Sequence, residues 1–413
     1  MLKKVAAGKE SSSTPKKMIL FLVFVISASN IFVSFADTTE AETAATDLQK
    51  EERLSKIRAF LNNFKPYIEI KESANDNIFR TYQDTKSDFI TEVSPGLKYG
   101  DMHSERKTNI FVDTGVRVRK YAKYNEYGVE NPYFDLLFSH NLGHLGLTLD
   151  YKFLKDQETF TDLSTTAQEG FVDYLKHYPK LSLDIDWNRF LWELDYSHLY
   201  KVYEEGSFKV SHSYKEDTVG FSGNLKVFPK TYFFLEYDRR WRDYTKGGDV
   251  DRAHDEYWVG VKGDIFSKMK GLAKFGYEKG HFPQKDKSST AINVNLNYQA
   301  SRRLVYNLEI ERKIGSSSVS TDSLDRTQSL ALTCRYFPPF NKKLQLAAKI
   351  SLGFDEYESG REDKDYGFSL TSEYSLNSWL KLTGEYKFVE ENSDITLAQY
   401  KNNITSLKLS FEF

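Results

Sequence analysis

The stretch Ser406-Leu407-Lys408-Leu409-Ser410-Phe411-Glu412-Phe413 alternates polar and apolar residues without a fault. Consecutive side chains on a strand point to opposite faces, so this segment reads as a strand with one oily side and one wet side. The same two-residue beat runs upstream from Phe413 to about residue 64. Leu145, Leu147, Leu149, Tyr151 and Phe153 alternate with Gly146, Thr148, Asp150 and Lys152. Ile292, Val294, Leu296 and Tyr298 alternate with Asn293, Asn295 and Asn297. Leu344, Leu346, Ala348, Ile350, Leu352 and Phe354 alternate with Lys343, Gln345, Lys349 and Ser351.

A soluble sandwich also alternates, with its oily face turned to a core. Strand length separates the two cases. The alternating segments run roughly 13 to 18 residues, against the 5 or 6 usual for a globular strand, and about 9 to 11 suffice to cross a membrane at a tilt. The pattern predicts strands over 64–73, 86–100, 106–122, 132–142, 143–155, 170–187, 188–204, 209–228, 229–244, 251–266, 267–281, 287–301, 302–316, 323–338, 342–357, 363–378, 379–391 and 399–413. That is eighteen strands, an even number. Connections alternate in length. Tight turns are read at 141–143, 187–189, 228–230, 266–268, 300–302 and 377–379, and a slightly longer one at 338–341. Between them lie longer polar links such as Lys155–Gly170 and Tyr244–Asp251. Short turns on one side and long loops on the other belong to a bacterial membrane barrel. A propeller blade of similar repeat length would hold four short strands rather than two long ones. The predicted fold class is an all-β, transmembrane, antiparallel up-and-down β-barrel of about 18 strands, oily outside and wet inside, in an outer membrane.

Composition agrees. The chain has 413 residues, of which 40% are hydrophobic. Its mean hydropathy of −0.56 excludes a helical membrane protein. Its 27 Tyr, 30 Phe and 5 Trp make up 15% of the chain, a supply suited to the aromatic girdles that mark the two lipid–water boundaries of a barrel. The one long apolar run, Met18–Val33, follows Lys3, Lys4, Lys9, Lys16 and Lys17 and precedes Ser34-Phe35-Ala36. This is the pattern of a signal peptide over residues 1–36, cleaved after Ala36. The run is too short for a spanning helix. Over residues 37–63, Leu48, Leu54, Ile57 and Leu61 recur at helical spacing among charged residues, which predicts a periplasmic linker with a short amphipathic helix. The barrel is expected over 64–413.

Removing the five lysines and one glutamate before Asp37 leaves 52 basic against 58 acidic residues. A nucleic-acid partner would call for a concentrated basic face, so none is expected. The single cysteine, Cys334, lies in phase with Leu330, Leu332 and Tyr336 and reads as packing or lipid contact. No cofactor and no metal site is expected. His140 and His144 are four apart but flank a hairpin turn, where that spacing loses its meaning. The acidic segment Gly247–Glu256 lacks a calcium-loop pattern. No Gly-x-Ser-x-Gly elbow or phosphate loop is present, and a non-enzymatic protein is expected. The best candidate for a rim hydrolase is His254 with Asp251 and Asp255, and it is poor.

If the oily set meets lipid, the polar set lines the lumen. The expected lumen-lining residues are Arg117, Arg119, Asp184, Asp186, Glu193, Asp195, Glu236, Asp238, Glu309, Glu311, Glu373 and Glu385, with Lys262, Lys274, Lys349 and Lys387 among them. Charges in a wet pore select solutes. The mixed signs argue against a dedicated polyanion path, leave a general or neutral-sugar path open, and point chiefly to pairs that brace the wall.

Two stretches carry a family resemblance. Asp76-Asn77-Ile78-Phe79 stands in the first long loop, and Ser87-Asp88-Phe89-Ile90-Thr91-Glu92-Val93-Ser94-Pro95-Gly96-Leu97 opens the second strand. With the paired long strands and terminal Phe413, the chain resembles the outer-membrane β-barrel porins of the porin 2 type, often associated with exopolysaccharide export. The resemblance implies an outer-membrane location in a Gram-negative bacterium, and polysaccharide or polysaccharide-export proteins as partners. The expected surroundings are outer-membrane lipid and lipopolysaccharide. Phe413 resembles the terminal aromatic signal read by barrel-assembly machinery.

Overall fold

The computed structural model describes residues 63–102, 106–159, 170–204, 212–245, 252–282, 285–314, 324–357 and 359–413. The segment read as a signal peptide and nearly all of the segment read as a linker therefore lie outside the described residues. Eighteen strands follow in order: β1 Phe64–Asn75, β2 Asp88–Tyr99, β3 Thr108–Tyr121, β4 Val129–Asn141, β5 Leu145–Thr159, β6 Phe171–Trp187, β7 Phe190–Tyr203, β8 Tyr214–Phe228 and β9 Thr231–Tyr244. They continue with β10 Arg252–Phe266, β11 Met269–His281, β12 Lys287–Ser301, β13 Leu304–Lys313, β14 Leu324–Tyr336, β15 Leu344–Tyr357, β16 Glu362–Ser375, β17 Leu380–Ser393 and β18 Tyr400–Glu412.

Each strand pairs antiparallel with its sequence neighbours, and β1 also pairs with β18, from Tyr67↔Glu412 to Asn75↔Ile404. No edge remains, so every strand finds backbone partners on both sides. That is the only sheet arrangement tolerable where no water can satisfy a free N–H or C=O. Two prolines fall where pairing lapses on one side of their strand. The β2–β3 register skips Ser94 and Pro95, and the β6–β7 register skips Tyr178 and Pro179, as expected of a residue without a backbone donor. The tightest turns join β6 to β7, β8 to β9, β10 to β11 and β12 to β13, all at one end of the barrel. Asn188 takes a positive φ of 62° in the first of these, and Gly143 one of 89° in the β4–β5 turn.

Contacts that leap over strands identify the inside. Glu193 on β7 meets Lys262 on β10, and Tyr67 on β1 meets Tyr133 on β4. Each contact passes over two intervening strands, which lie about 4.8 Å apart. Side chains of this length can bridge that gap only across the concave face of a cylinder. Alternation from these four residues around the continuous register then assigns every inward and outward position. The outward set is apolar and exposed: Leu181, Leu194, Phe221, Leu235, Val259, Phe275, Leu332, Ile350, Leu370 and Leu407 are all among the exposed large hydrophobics. Along β10 the outward apolar run spans Tyr257 to Ile265, about 26 Å of strand at ~3.3 Å per residue. Tyr237, Tyr257 and Tyr277 stand side by side in register at one border of this band. At the border formed by the tight turns, Trp187, Phe190, Phe228, Phe266, Trp379 and Phe413 are exposed.

Inward glycines seat aromatic rings. A Cβ at Gly96 would lie 2.4 Å from Tyr67, and one at Gly115 2.4 Å from Tyr133. The missing side chains leave room for the phenol ends of both rings.

The two faces respond oppositely to charge. Ile350→Arg, outward at mid-strand, should cost about 2–4 kcal/mol of folding stability in lipid. Ser351→Arg, its inward neighbour beside Gly353 and Gly367, should cost little. Urea-dependent folding into vesicles, followed by heat-modifiable gel mobility, measures both; equal losses would contradict the assigned faces.

Candidate functional site: the inner wall and its first loop

The inner face is built from the polar half of each strand's alternation. Arg117 and Arg119, both inward on β3, are brought between Glu92 of β2 and Asp156 of β5. The distances are 3.4 Å and 3.6 Å for Arg117, and 3.2 Å and 3.8 Å for Arg119. Glu193 accepts from Ser222 Oγ at 2.7 Å and Asn224 Nδ2 at 3.1 Å, besides pairing with Lys262. Asp195 pairs with Lys180 at 3.0 Å and accepts from Ser182. Glu236 takes Lys274. Asp238 lies over Gly220, where a Cβ would meet its Oδ1 at 2.5 Å. Glu311 pairs with Lys313 at 2.9 Å and Glu373 with Lys381 at 3.1 Å. Asp184 stands in register with Glu193, Glu309 with Asn295 and Ala331, and Glu385 with Thr371 and Ser406. Asp186 is exposed near the turn that ends β6.

Residues not singled out from sequence complete these networks. Lys201 pairs with Glu158, which also accepts from Tyr203 Oη at 2.7 Å. Arg242 pairs with Glu216 at 2.6 Å, and Arg240 with Glu256. Tyr67 Oη donates to Asp113 at 2.7 Å. All share the inward parity of Arg117 and Glu193, so extending the alternation along each strand would have found them. Recesses of about 360 Å³ and 500 Å³ open in this wall, the first beside Asp195 and Asp238, the second beside Tyr67 and Arg117. Most charges here are neutralised by a neighbour, which makes the wall stiff and wet rather than strongly basic or acidic.

The histidine candidates come apart. His254 and Asp255 are consecutive on β10 and point to opposite faces. His254 turns inward to Glu278, with Nδ1 at 3.1 Å. Asp255 turns outward, accepts from Tyr237 Oη at 2.7 Å and pairs with His281 at 2.9 Å. Asp251 lies outside the described residues, and Arg252 to Glu256 belong to β10 rather than to a loop. His140 approaches Thr108 Oγ1 at 2.7 Å, whereas His144 approaches the carbonyl of Asp186 at 2.9 Å. No cluster of three metal-binding side chains occurs among the described residues. In the loop before β12, a hydrogen bond from Lys279 holds the Asp286 carboxyl below its ordinary range.

The Asp76–Phe79 stretch anchors an inward-folded loop. Asp76 accepts from Asn403 N and Nδ2, both at 2.7 Å, across the β1–β18 seam. Asn77 is 1% exposed. Its Nδ2 donates to the carbonyls of Thr81 at 2.8 Å and Lys401 at 2.9 Å, and its Oδ1 accepts from Thr81 N at 3.0 Å. Ile78 and Phe79 are buried with Tyr121 and against Ile90. Tyr121 and Ile90 are paired inward residues of β3 and β2, so the loop bends into the mouth instead of standing above it. Around Phe79 gather Tyr124, Tyr127 and Phe171, with ring centroids 5.2 to 5.6 Å away. Asp88 ties the same region together by accepting from the backbone N–H groups of Phe89, Lys123 and Tyr124. The loop thus narrows the mouth above the Arg117–Arg119 cluster, and the alternation rule could not have shown this.

Phe413 lies at the other end. Its backbone N donates to Pro66 O at 3.0 Å across the closing seam. Its ring stacks on Trp379 at 6.3 Å, and Trp379 also stacks on Phe411 at 6.2 Å.

A closed eighteen-stranded cylinder with an apolar exterior and a polar interior is a porin-type outer-membrane barrel. Residues 214–413, from β8 to the end, match the family model described as "Putative beta-barrel porin 2". The family resemblance read from the sequence is thereby shown, although the Asp76–Phe79 and Ser87–Leu97 stretches lie outside the matched residues. Among solved structures, OccK2 (OpdF) of Pseudomonas aeruginosa is 9% identical, with 86% of this chain and 98% of that one covered at a TM-score of 0.49. OpdK of Pseudomonas aeruginosa, solved with vanillate, is 9% identical over 86% and 99% at 0.47. OccAB3 of Acinetobacter baumannii is 11% identical over 85% and 98% at 0.42. No curated protein matches.

The loop's packing is open to test by proteolysis. Arg80 sits between buried Phe79 and Thr81, so trypsin should spare it in the folded barrel. Phe79→Ala should expose it to cutting while heat-modifiable mobility stays unchanged; equal cutting of both proteins would place the loop outside the mouth.

Proposed function

We propose that this protein is a passive outer-membrane channel of a Gram-negative bacterium, through which polar solutes diffuse, and that it serves exopolysaccharide export. The observation that carries the channel reading is the inner wall. Its ionised side chains pair with one another around the wall, which is polar instead of packed with apolar residues. Barrels of 16 to 18 strands are wide enough for an aqueous path. The mixed signs of the wall suit uncharged or weakly charged solutes better than polyanions. The export role rests on the resemblance read at Asp76–Phe79 and Ser87–Leu97. Arg117, Arg119, Glu193, Asp195, Glu236 and Asp238 are the residues proposed to line the path at its charged side. Phe413, exposed beside Trp379 at the tight-turn end, is proposed as part of the signal taken by assembly machinery.

A second reading, a closed structural or adhesion barrel acting through its loops, draws on the inward loop at Phe79. A rim hydrolase draws no support from His254 and Asp255, which face opposite sides of the wall. Purified protein reconstituted in planar bilayers should give stepwise ion currents with weak selectivity between cations and anions. A persistently silent bilayer, with correctly folded protein, would favour the closed barrel.

A further inference from the structure

The inner wall changes character on β12. On β2 to β11 many inward positions carry long ionised side chains held by partners, as at Glu92–Arg119, Asp195–Lys180 and Glu236–Lys274, and inward pairs recur at Glu311–Lys313 on β13 and Glu373–Lys381 on β16 and β17. On β12, four successive inward positions are amides: Asn293, Asn295, Asn297 and Gln299. Lys274, the inward register partner of Asn293 on β11, fixes their orientation. Asn307 of β13 pairs in register with Asn297 and donates its Nδ2 to Asn295 Oδ1 at 3.0 Å. Asn295, Asn297 and Gln299 are exposed, and since they face inward, that exposure is to the lumen. One register line continues from Asn297 through Asn307 to Thr333 of β14, with Lys270 opposite Asn297 on β11 and Glu309 and Glu311 beside the row on β13.

We propose that this amide row is a binding track for neutral, polyhydroxylated chains, that is, oligosaccharides without ionised groups. A carboxamide offers two donors and an acceptor on one side chain, and a sugar hydroxyl is itself both donor and acceptor. The match requires neither a counter-charge nor desolvation of a full charge. Successive inward positions lie about 6.6 Å apart along the strand, so neighbouring amides touch neighbouring parts of one extended chain. Conduction needs several weak sites in sequence rather than one strong site, and a row of amides supplies them. Glu309, beside Asn295, adds an acceptor and opposes acidic sugars. This inference rests on the channel reading for its role in transport, but binding can be measured without current.

The test uses the processed chain, maltohexaose as neutral probe, and a hexuronate oligosaccharide of equal length. Maltohexaose should interrupt the current in bilayers and give binding heat by calorimetry in detergent. In the triple variant Asn295→Ala/Asn297→Ala/Gln299→Ala, binding and blockade time should fall about fivefold or more, the loss expected for even one net hydrogen bond, with conductance retained. Asn297→Gln should keep the binding. Unchanged affinity in the triple variant, no wild-type binding, or tighter binding of the hexuronate would overturn the proposal. A silent bilayer with amide-dependent binding heat would instead fail the channel reading and leave the track standing.

Discussion

In a hydrocarbon layer, a backbone N–H or C=O without a partner has no water to fall back on. The rest of this structure follows from that constraint. A flat sheet of eighteen strands would present two bare edges to lipid. Pairing β1 with β18 abolishes both and in doing so creates an inside. Once the sheet is closed, the ordinary alternation of a strand divides the chain between two solvents. Residues of one parity meet lipid and the others meet water.

The two solvents set different rules for the side chains they receive. Outward positions need only be apolar, with aromatic residues at the borders, and the chain meets this loosely with Leu, Val, Ile, Phe and Tyr. Inward charges lie on a concave wall where they crowd, and they settle into pairs and small networks. Arg117 and Arg119 share two carboxylates, and Glu193 collects a lysine, a serine and an asparagine. Such pairs contribute stiffness more than stability, because partly hydrated charges gain little from each other. The wall also varies around its circumference, with the row of amides on β12 set among strands that carry inward charges. The inward loop at Phe79 covers part of the mouth on the charged side.

Much of the inner wall was legible in the sequence because strand parity is a local property. Arg117, Glu193 and Glu236 could be set on one face by counting in twos. Their partners could not be named, since Lys262 meets Glu193 only because three strands of register and the curvature of the sheet bring them together. The Asp76–Phe79 stretch marked a family resemblance, yet its physical role was hidden. Asn77 reaches a carbonyl on β18, more than three hundred residues away, and Phe79 packs with Phe171 at the start of β6. His254 and Asp255 looked like neighbours in sequence, whereas the pleat points them apart.

By itself the sequence determined the fold class, the eighteen strands to within a few residues, and which side chains share a face. Each of these depends on periodicity and turn chemistry within a dozen residues. Only the tertiary structure decided which charges pair, that the first loop bends inward, and that the amides of β12 confront an interior otherwise lined by salt bridges. Those outcomes depend on closure, which brings distant strands around a common axis and which no local pattern encodes.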